Sequence, residues 1–349
     1  MRRLALLLAL TAAAAAAPGA RAQYFAFGQN RVQYERLHWE VARSARLDVY
    51  VYERPATAPS AHVLADFAAR AGEEALDDIA ALFGRPLTRR VPLLIYQGHN
   101  DFAVTNAVDL PVGAEGIGGV TELLKNRVAV PFTGDWRQFR RVIRHELVHA
   151  ALNDLLYGGS LQAALRNNLR LRLPDWFDEG LAEYVAFGWD TESDLWLRDA
   201  VLDGYLPPIR RLSGFLAYRG GQGVWDFVAE EYGREKVTEI LDRLTATRSV
   251  EAAFFDATGL SVGELSARWH AALREVYFPE AAAREPLDAR ARLVASPHDL
   301  AGRLYAAPAV TAQGDRIAWV AAGAGGAVVL VAPTTGTGPV RTLLDGAAR

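Results

Sequence analysis

The sequence predicts an α+β fold, and three changes of period along the chain predict it. Before residue 134, short strand-like runs flank one long helical stretch. From residue 135 to 280 the apolar spacing is helical. After residue 302 it becomes the short alternation of hairpins. In order, Leu47 to Glu53 alternates as a strand, Ser60 to Phe83 is helical, Val91 to Tyr96 is a buried-strand run, and Arg127 to Val130 is strand-like. These runs make a small α/β part over 23–134. A helix follows Asp135, a good N-cap with Gln138 three residues on in a capping-box pattern. A second starts after Pro174. Later helices are expected at Asp194 to Leu202, Gly233 to Thr245 and Ser261 to Tyr277, punctuated by Gly233, Gly259 and Pro279. Residues 281–302, rich in Ala, Arg and Pro, read as a linker. In 303–349, strands are expected within Tyr305 to Val310, Gln313 to Val320 and Ala327 to Val331, before a turn at Thr334 to Gly338.

Residues 1–22 read as a secretion signal: Arg2-Arg3, an apolar run from Leu4 to Ala17, and Ala20-Arg21-Ala22 as an A-x-A cleavage site. The mature chain would begin near Gln23, in the periplasm or outside the cell. The apolar run is short for a membrane span, and no later segment is apolar enough to be one. The chain has no cysteine, which excludes disulfides and thiolate metal ligands. A chain of this size can bury a sufficient core without them. A net charge of −3 implies no attraction to nucleic acid. The local basic stripe of Arg137, Arg140, Arg141 and Arg144 is expected to meet neighbouring acids or solvent.

His145-Glu146-Leu147-Val148-His149 carries the chemistry. On a helix, histidines four apart leave one face and can hold one metal ion between them. Glu146 is rotated about 100° from His145. There it can accept a proton from water at the metal without being a ligand. Imidazoles with carboxylate support imply zinc, one per chain. Phe139, Val142, Ile143, Leu147, Val148, Ala151, Leu152 and Leu155 surround the motif with apolar residues. The helix should therefore be buried.

A third ligand is needed. A continuation H-x-x-G-x-x-H fails, because Leu152 and Leu155 occupy the Gly and His positions. Glu179 and Glu183 lie four apart on the second helix, so one can bind metal while the other supports a histidine. Asp154 and Asp178 are weaker alternatives.

At these residues the chain resembles the gluzincin, or peptidase MA-like, zinc metallopeptidases. H-E-x-x-H followed by Trp176-Phe177-Asp178-Glu179-Gly180 is similar to aminopeptidase N-type enzymes, whose W-L-N-E-G glutamate is the third zinc ligand and matches Glu179. Thermolysin carries an acid four residues after its ligand glutamate that orients a zinc histidine, which matches Glu183. The spacer from His149 to Glu179 is longer than in aminopeptidase N-type enzymes, so an insertion around Leu156 to Arg172 must loop out. The resemblance implies a zincin-like domain with His145, His149 and Glu179 on zinc, Glu146 as base and Glu183 behind a histidine. It also implies a tyrosine that stabilises the oxyanion, for which Tyr218 matches and Tyr205 is the competitor. A substrate strand before the zinc helix is implied at Gly119, Val120, Thr121 and Glu122, within a glycine-rich run that begins at Glu115. The aminopeptidase pattern G-A-M-E-N is not reproduced; Thr121-Glu122 is at best a displaced version.

The tail resembles one blade of a TolB-like β-propeller, although Thr311-Ala312-Gln313-Gly314 departs from the usual S-P-D-G turn. One blade cannot close a ring, so the chain is expected to be the front of a longer protein. The region from Phe27-Gly28-Gln29-Asn30 through Trp39 resembles the opening of exported proteins that pair the two domains. The expectation is an exported zinc metallopeptidase acting on peptides or proteins, with a possible protein partner through the propeller. The alternative is a non-catalytic zinc-fold and propeller protein that binds or scaffolds in the cell envelope. A lost base or ligand would mark that alternative, and none is lost.

Overall fold

The computed structural model describes residues 35–54, 59–108, 118–122, 126–158, 171, 173–285, 290–295, 304–323 and 326–346. The expected secretion signal, positions 27–34 of the opening, 115–117 of the glycine-rich run, 159–170 and 172 of the insertion, and 286–289 and 296–302 of the expected linker lie outside them. The chain divides into two compact units, one drawn from 1–194 and 207–265, the other from 195–206 and 266–349.

The first unit is built on a five-stranded sheet of β1 (Trp39–Arg43), β2 (Leu47–Tyr52), β3 (Val91–Tyr96), β4 (Val120–Glu122) and β5 (Arg127–Pro131), in the order β1-β2-β3-β5-β4. β2, β3 and β5 run parallel, and the two edge strands pair antiparallel. β3 and β5 carry near-continuous apolar runs because a parallel sheet is covered on its faces, whereas β2 alternates along its first half. β1 was not legible in the sequence: four of its five residues are exposed, so it carries no alternation. α1 (Ala61–Phe83) crosses from β2 to β3 and ends at Gly84 in the left-handed region, φ 70°. It packs against β2 so closely that a Cβ on Gly72 would lie 2.5 Å from Leu47. The short α2 (His99–Ala103) follows β3.

α3 (Trp136–Tyr157) lies beside the sheet and packs on α1. The Asp135 carboxylate accepts from the Arg137 and Gln138 backbone N–H groups at 2.8 and 3.1 Å. These two bonds hold its pKa below the usual carboxylate range. Phe139, Ile143, Leu147, Val148 and Ala151 are buried, as the sequence predicts. The basic stripe meets acids of α1: Arg140 pairs with Glu74, and Arg144 with Asp78 at 2.7 Å. Arg141 instead lies over the Phe187 ring.

α4 (Asp175–Phe187) and α6 (Phe215–Tyr232) make the tightest helix contact. They meet at two glycines. A Cβ on Gly180 would sit 2.4 Å from the Gly221 backbone, and one on Gly221 would sit 2.2 Å from the Trp176 carbonyl oxygen. Only hydrogens fit there. Below this crossing Trp176, Phe177, Trp225 and Phe254 form an aromatic core, with Trp225 Nε1 donating to the Phe177 carbonyl at 3.0 Å. α7 (Glu235–Thr247) and α8 (Val250–Thr258) complete this unit's helices. α5 (Thr191–Leu202) and α9 (Val262–Ala282) begin in this unit and continue in the second. α8 is nine residues long and was not anticipated. Pro279 does not end α9 as expected; the helix carries it internally and runs on to Ala282.

The second unit contains a four-stranded antiparallel sheet in sequence order: β6 (Leu304–Val310), β7 (Arg316–Gly323), β8 (Gly326–Pro333) and β9 (Arg341–Asp345). One face packs Trp319, Ala321, Val328, Leu330 and Ala332 together with Val294 and Ala295. β9 was not anticipated, since every one of its residues is exposed. Among the described residues no helix is long and apolar enough to cross a membrane.

Candidate metal centre

Helical spacing on α3 and α4 makes the centre. His145 and His149 project from one face of α3, and their Nε2 atoms lie 3.2 Å apart. Glu179, in the first half of α4, places Oε2 at 3.3 Å from each of them. The three atoms thus form a nearly equilateral triangle. Ligands about 2.0–2.1 Å from a tetrahedral zinc ion are separated by about 3.3 Å. The donor set and its spacing therefore fit such an ion, and His145, His149 and Glu179 could hold a metal.

Each histidine is also held at its other nitrogen. His145 Nδ1 faces Glu183 Oε1 at 3.3 Å, and His149 Nδ1 faces Asp178 Oδ1 at 2.9 Å. Both partners come from α4. Glu183 is one turn beyond Glu179, and Asp178 is its neighbour, turned about 100° toward the other ring. An acceptor at Nδ1 leaves the Nε2 lone pair aimed at the triangle. Burial disfavours charge on the His145 ring, but hydrogen bonds to the Glu179 and Glu183 carboxylates outweigh it and raise its pKa to about 9. Burial opposes charge on His149 too, and Asp178 overcomes it and raises that pKa well above the ordinary value. Burial also opposes charge on Glu179, and the two imidazoles overcome it, holding the carboxyl far below its usual range.

Glu146 is buried and points at the edge strand. Thr121 Oγ1 donates to Glu146 Oε2 at 2.6 Å and lies 2.9 Å from the Glu146 carbonyl oxygen. A Cβ on Gly119 would lie 2.9 Å from Glu146 Cγ and Oε1. The glycine thus leaves the room that the carboxylate fills. Burial raises the Glu146 pKa, and the neighbouring histidines only partly offset this.

These groups line a cleft of about 630 Å³. Gly119, Val120 and Thr121 form one wall, and Tyr218 stands on another, its ring parallel to His145 at 6.5 Å. Tyr218 lies in the first turn of α6, and the glycine-rich run that follows it is helical. Burial, then the Glu179 carboxylate, push its phenol pKa upward. The hydroxyl is hydrogen-bonded to Glu179 and stays protonated.

Other candidates sit elsewhere. Tyr205 donates to Asp199 and does not line the cleft. Glu122 accepts from Arg127 across the β4–β5 hairpin at 3.0 Å and is not a lining residue. Asp154 is buried at the end of α3, accepting from Thr88 N and Oγ1 at 2.8 and 2.6 Å. It fixes the segment between α1 and β3 and is not a ligand. Asp178, weighed as an alternative ligand, instead supports His149. Sequence spacing placed it near the metal but could not say which atom it would meet. Leu171, Leu173 and Phe187 also line the cleft and carried no sequence signal.

No curated protein matches the chain. A family model described as the peptidase MA superfamily matches residues 71–275, which run from mid-α1 through α3, α4 and α6 into α9. With more than half of its 349 residues matched, the chain belongs to the peptidase MA superfamily.

Proposed function

We propose that this chain is an exported zinc metallopeptidase in which His145, His149 and Glu179 hold one zinc ion. The observation that carries the reading is the triangle of Nε2, Nε2 and Oε2 atoms with a buried carboxylate, Glu146, beside it in the same cleft. Zinc bound there would acidify water and polarise a peptide carbonyl. Glu146 accepts the proton of the attacking water and then delivers it to the leaving amine. Tyr218 donates from the far wall to the carbonyl oxygen as negative charge grows there. Asp178 and Glu183 hold the two imidazoles in the orientation that leaves Nε2 free. β4 lies at the sheet edge and can align an extended peptide by strand addition.

In this proposal residues 1–22 direct export and are removed, placing the protein in the periplasm or outside the cell. The four-stranded antiparallel sheet of the second unit is read as one TolB-like propeller blade, a surface for a protein partner. The test of the enzymatic reading is a cleavage-site profile on a mixed peptide library. New amino termini should form with the wild type, disappear on chelation and return with zinc. A protein that carries zinc yet cleaves nothing in the library would favour the scaffolding alternative.

A further inference from the structure

A buried cation stands behind the metal centre, on a helix that supplies no ligand. Arg219 follows Tyr218 on α6, and its side chain is only 13% exposed. Nη1 donates to Glu183 Oε2 at 2.9 Å, while Glu183 Oε1 faces His145 Nδ1 at 3.3 Å. The guanidinium lies 5.5 Å from the Phe215 ring centroid and 6.0 Å from that of Phe187. Nη1 also lies 3.4 Å from Ser193 Oγ, and Nη2 lies 3.2 Å from the exposed Glu192. The glycine contact between Gly180 and Gly221 brings α4 and α6 close enough for this reach.

We propose that Arg219 is a positioning residue for the metal centre. It fixes the Glu183 carboxylate, which in turn fixes the His145 ring with its Nε2 toward the ion. A carboxylate four residues along the same helix from Glu179 would otherwise be free to swing toward the metal itself. Arg219 occupies its second oxygen and holds it off. The planar fork lying over the Phe215 and Phe187 rings suits that task, because it arrives already oriented. α6 thereby contributes two adjacent residues to the centre, Tyr218 on the cleft side and Arg219 on the outer side. This proposal rests on the zinc reading above.

The test is a double-mutant cycle on the full chain, read as zinc affinity by competition with a chromophoric chelator. Glu183→Gln and Arg219→Gln should each weaken binding by about 10- to 100-fold, the usual cost of losing an outer partner. The double variant should bind no more weakly than the weaker single variant, since Arg219 acts through Glu183. Arg219→Lys should recover part of the affinity, and only where Glu183 is present. This last variant carries the test if Arg219→Gln does not fold. Wild-type affinity in Arg219→Gln, or losses that multiply in the double variant, would overturn the proposal while leaving the zinc reading intact. A wild type that takes up no zinc would overturn both.

Discussion

Two cavities of similar size open in the first unit, and their difference shows what makes a site. One, of about 630 Å³, contains the candidate metal centre. The other, of about 690 Å³, lies over β1, β2 and β3 and is lined by Trp39, Tyr50, Tyr96, Arg54 and Asp101. Volume does not separate them; charge pairing does. In the second cavity opposite charges satisfy one another. Asp101 accepts from Tyr52 and Arg54 at 2.5 and 2.7 Å, and Arg54 also meets Glu35 at 3.0 Å. In the first, Arg219 pairs with the outer oxygen of Glu183 at 2.9 Å, but the groups that converge on the cleft are mostly acceptors. Two imidazole Nε2 atoms and a carboxylate oxygen crowd within 3.3 Å, with the carboxylates of Asp178 and Glu183 behind them. Such a cluster could hold a metal ion at its centre.

The largest expected contrast is catalytic. Glu146→Gln keeps every proposed ligand and should lower peptide turnover by about 10²- to 10⁴-fold with zinc content unchanged. Asp101→Asn in the second cavity should leave turnover near wild type. A Glu146→Gln variant as active as wild type on the same peptide would remove Glu146 as the base. Gly119→Ala sharpens the point without touching a charged group. The added methyl claims the space of the Glu146 side chain, so turnover should fall about 10-fold or more while zinc stays bound. Unchanged turnover would mean that the carboxylate's seat is not set by that glycine.

How much of this contrast was legible in the sequence follows from how far each residue's partner lies along the chain. His145, Glu146 and His149 share one helix, where spacing converts directly into direction. Glu179 and Glu183 share another, and the structure brings that pair to the first. The Asp178 contact with His149 was not legible, because one residue of helical rotation separates a ligand from its neighbour's supporter. Arg219 was invisible for a different reason. Its reach to Glu183 depends on two glycines, Gly180 and Gly221, meeting backbone to backbone, a tertiary fact with no periodic trace. β1 and β9 escaped because exposed edge strands need no apolar alternation. α9 ran past Pro279, a residue that more often ends a helix.

The smaller effects concern stability. Tyr52→Phe removes the donor to Asp101 and the acceptor for the Gln97 backbone N–H. It should cost about 1–3 kcal/mol in denaturant unfolding and leave zinc content unchanged. A drop in zinc content would mean that the two cavities are coupled. Asp226, on α6, shows what a carboxylate does without such partners: burial, then Glu230, raise its pKa from 3.8 to about 6. Because the folded state binds this proton more tightly than the unfolded one, ionisation costs stability. The cost is absent below about pH 3.8, grows as pH rises and is complete above about 6. Asp226→Asn should therefore stabilise the protein above that range, by roughly 1 kcal/mol after solvent screening, and give no gain in acid. Equal gains at both ends of the pH range would show that the effect is not one of ionisation.

The most direct measurement is the zinc content of the full chain, purified without metal-chelating resin, reloaded with zinc and desalted. The wild type should hold one zinc ion per chain, and the His145→Ala, His149→Ala double variant should hold none while keeping its helical circular dichroism. Equal zinc in the two proteins, or no zinc in either, would contradict the assignment of His145, His149 and Glu179 as the metal ligands.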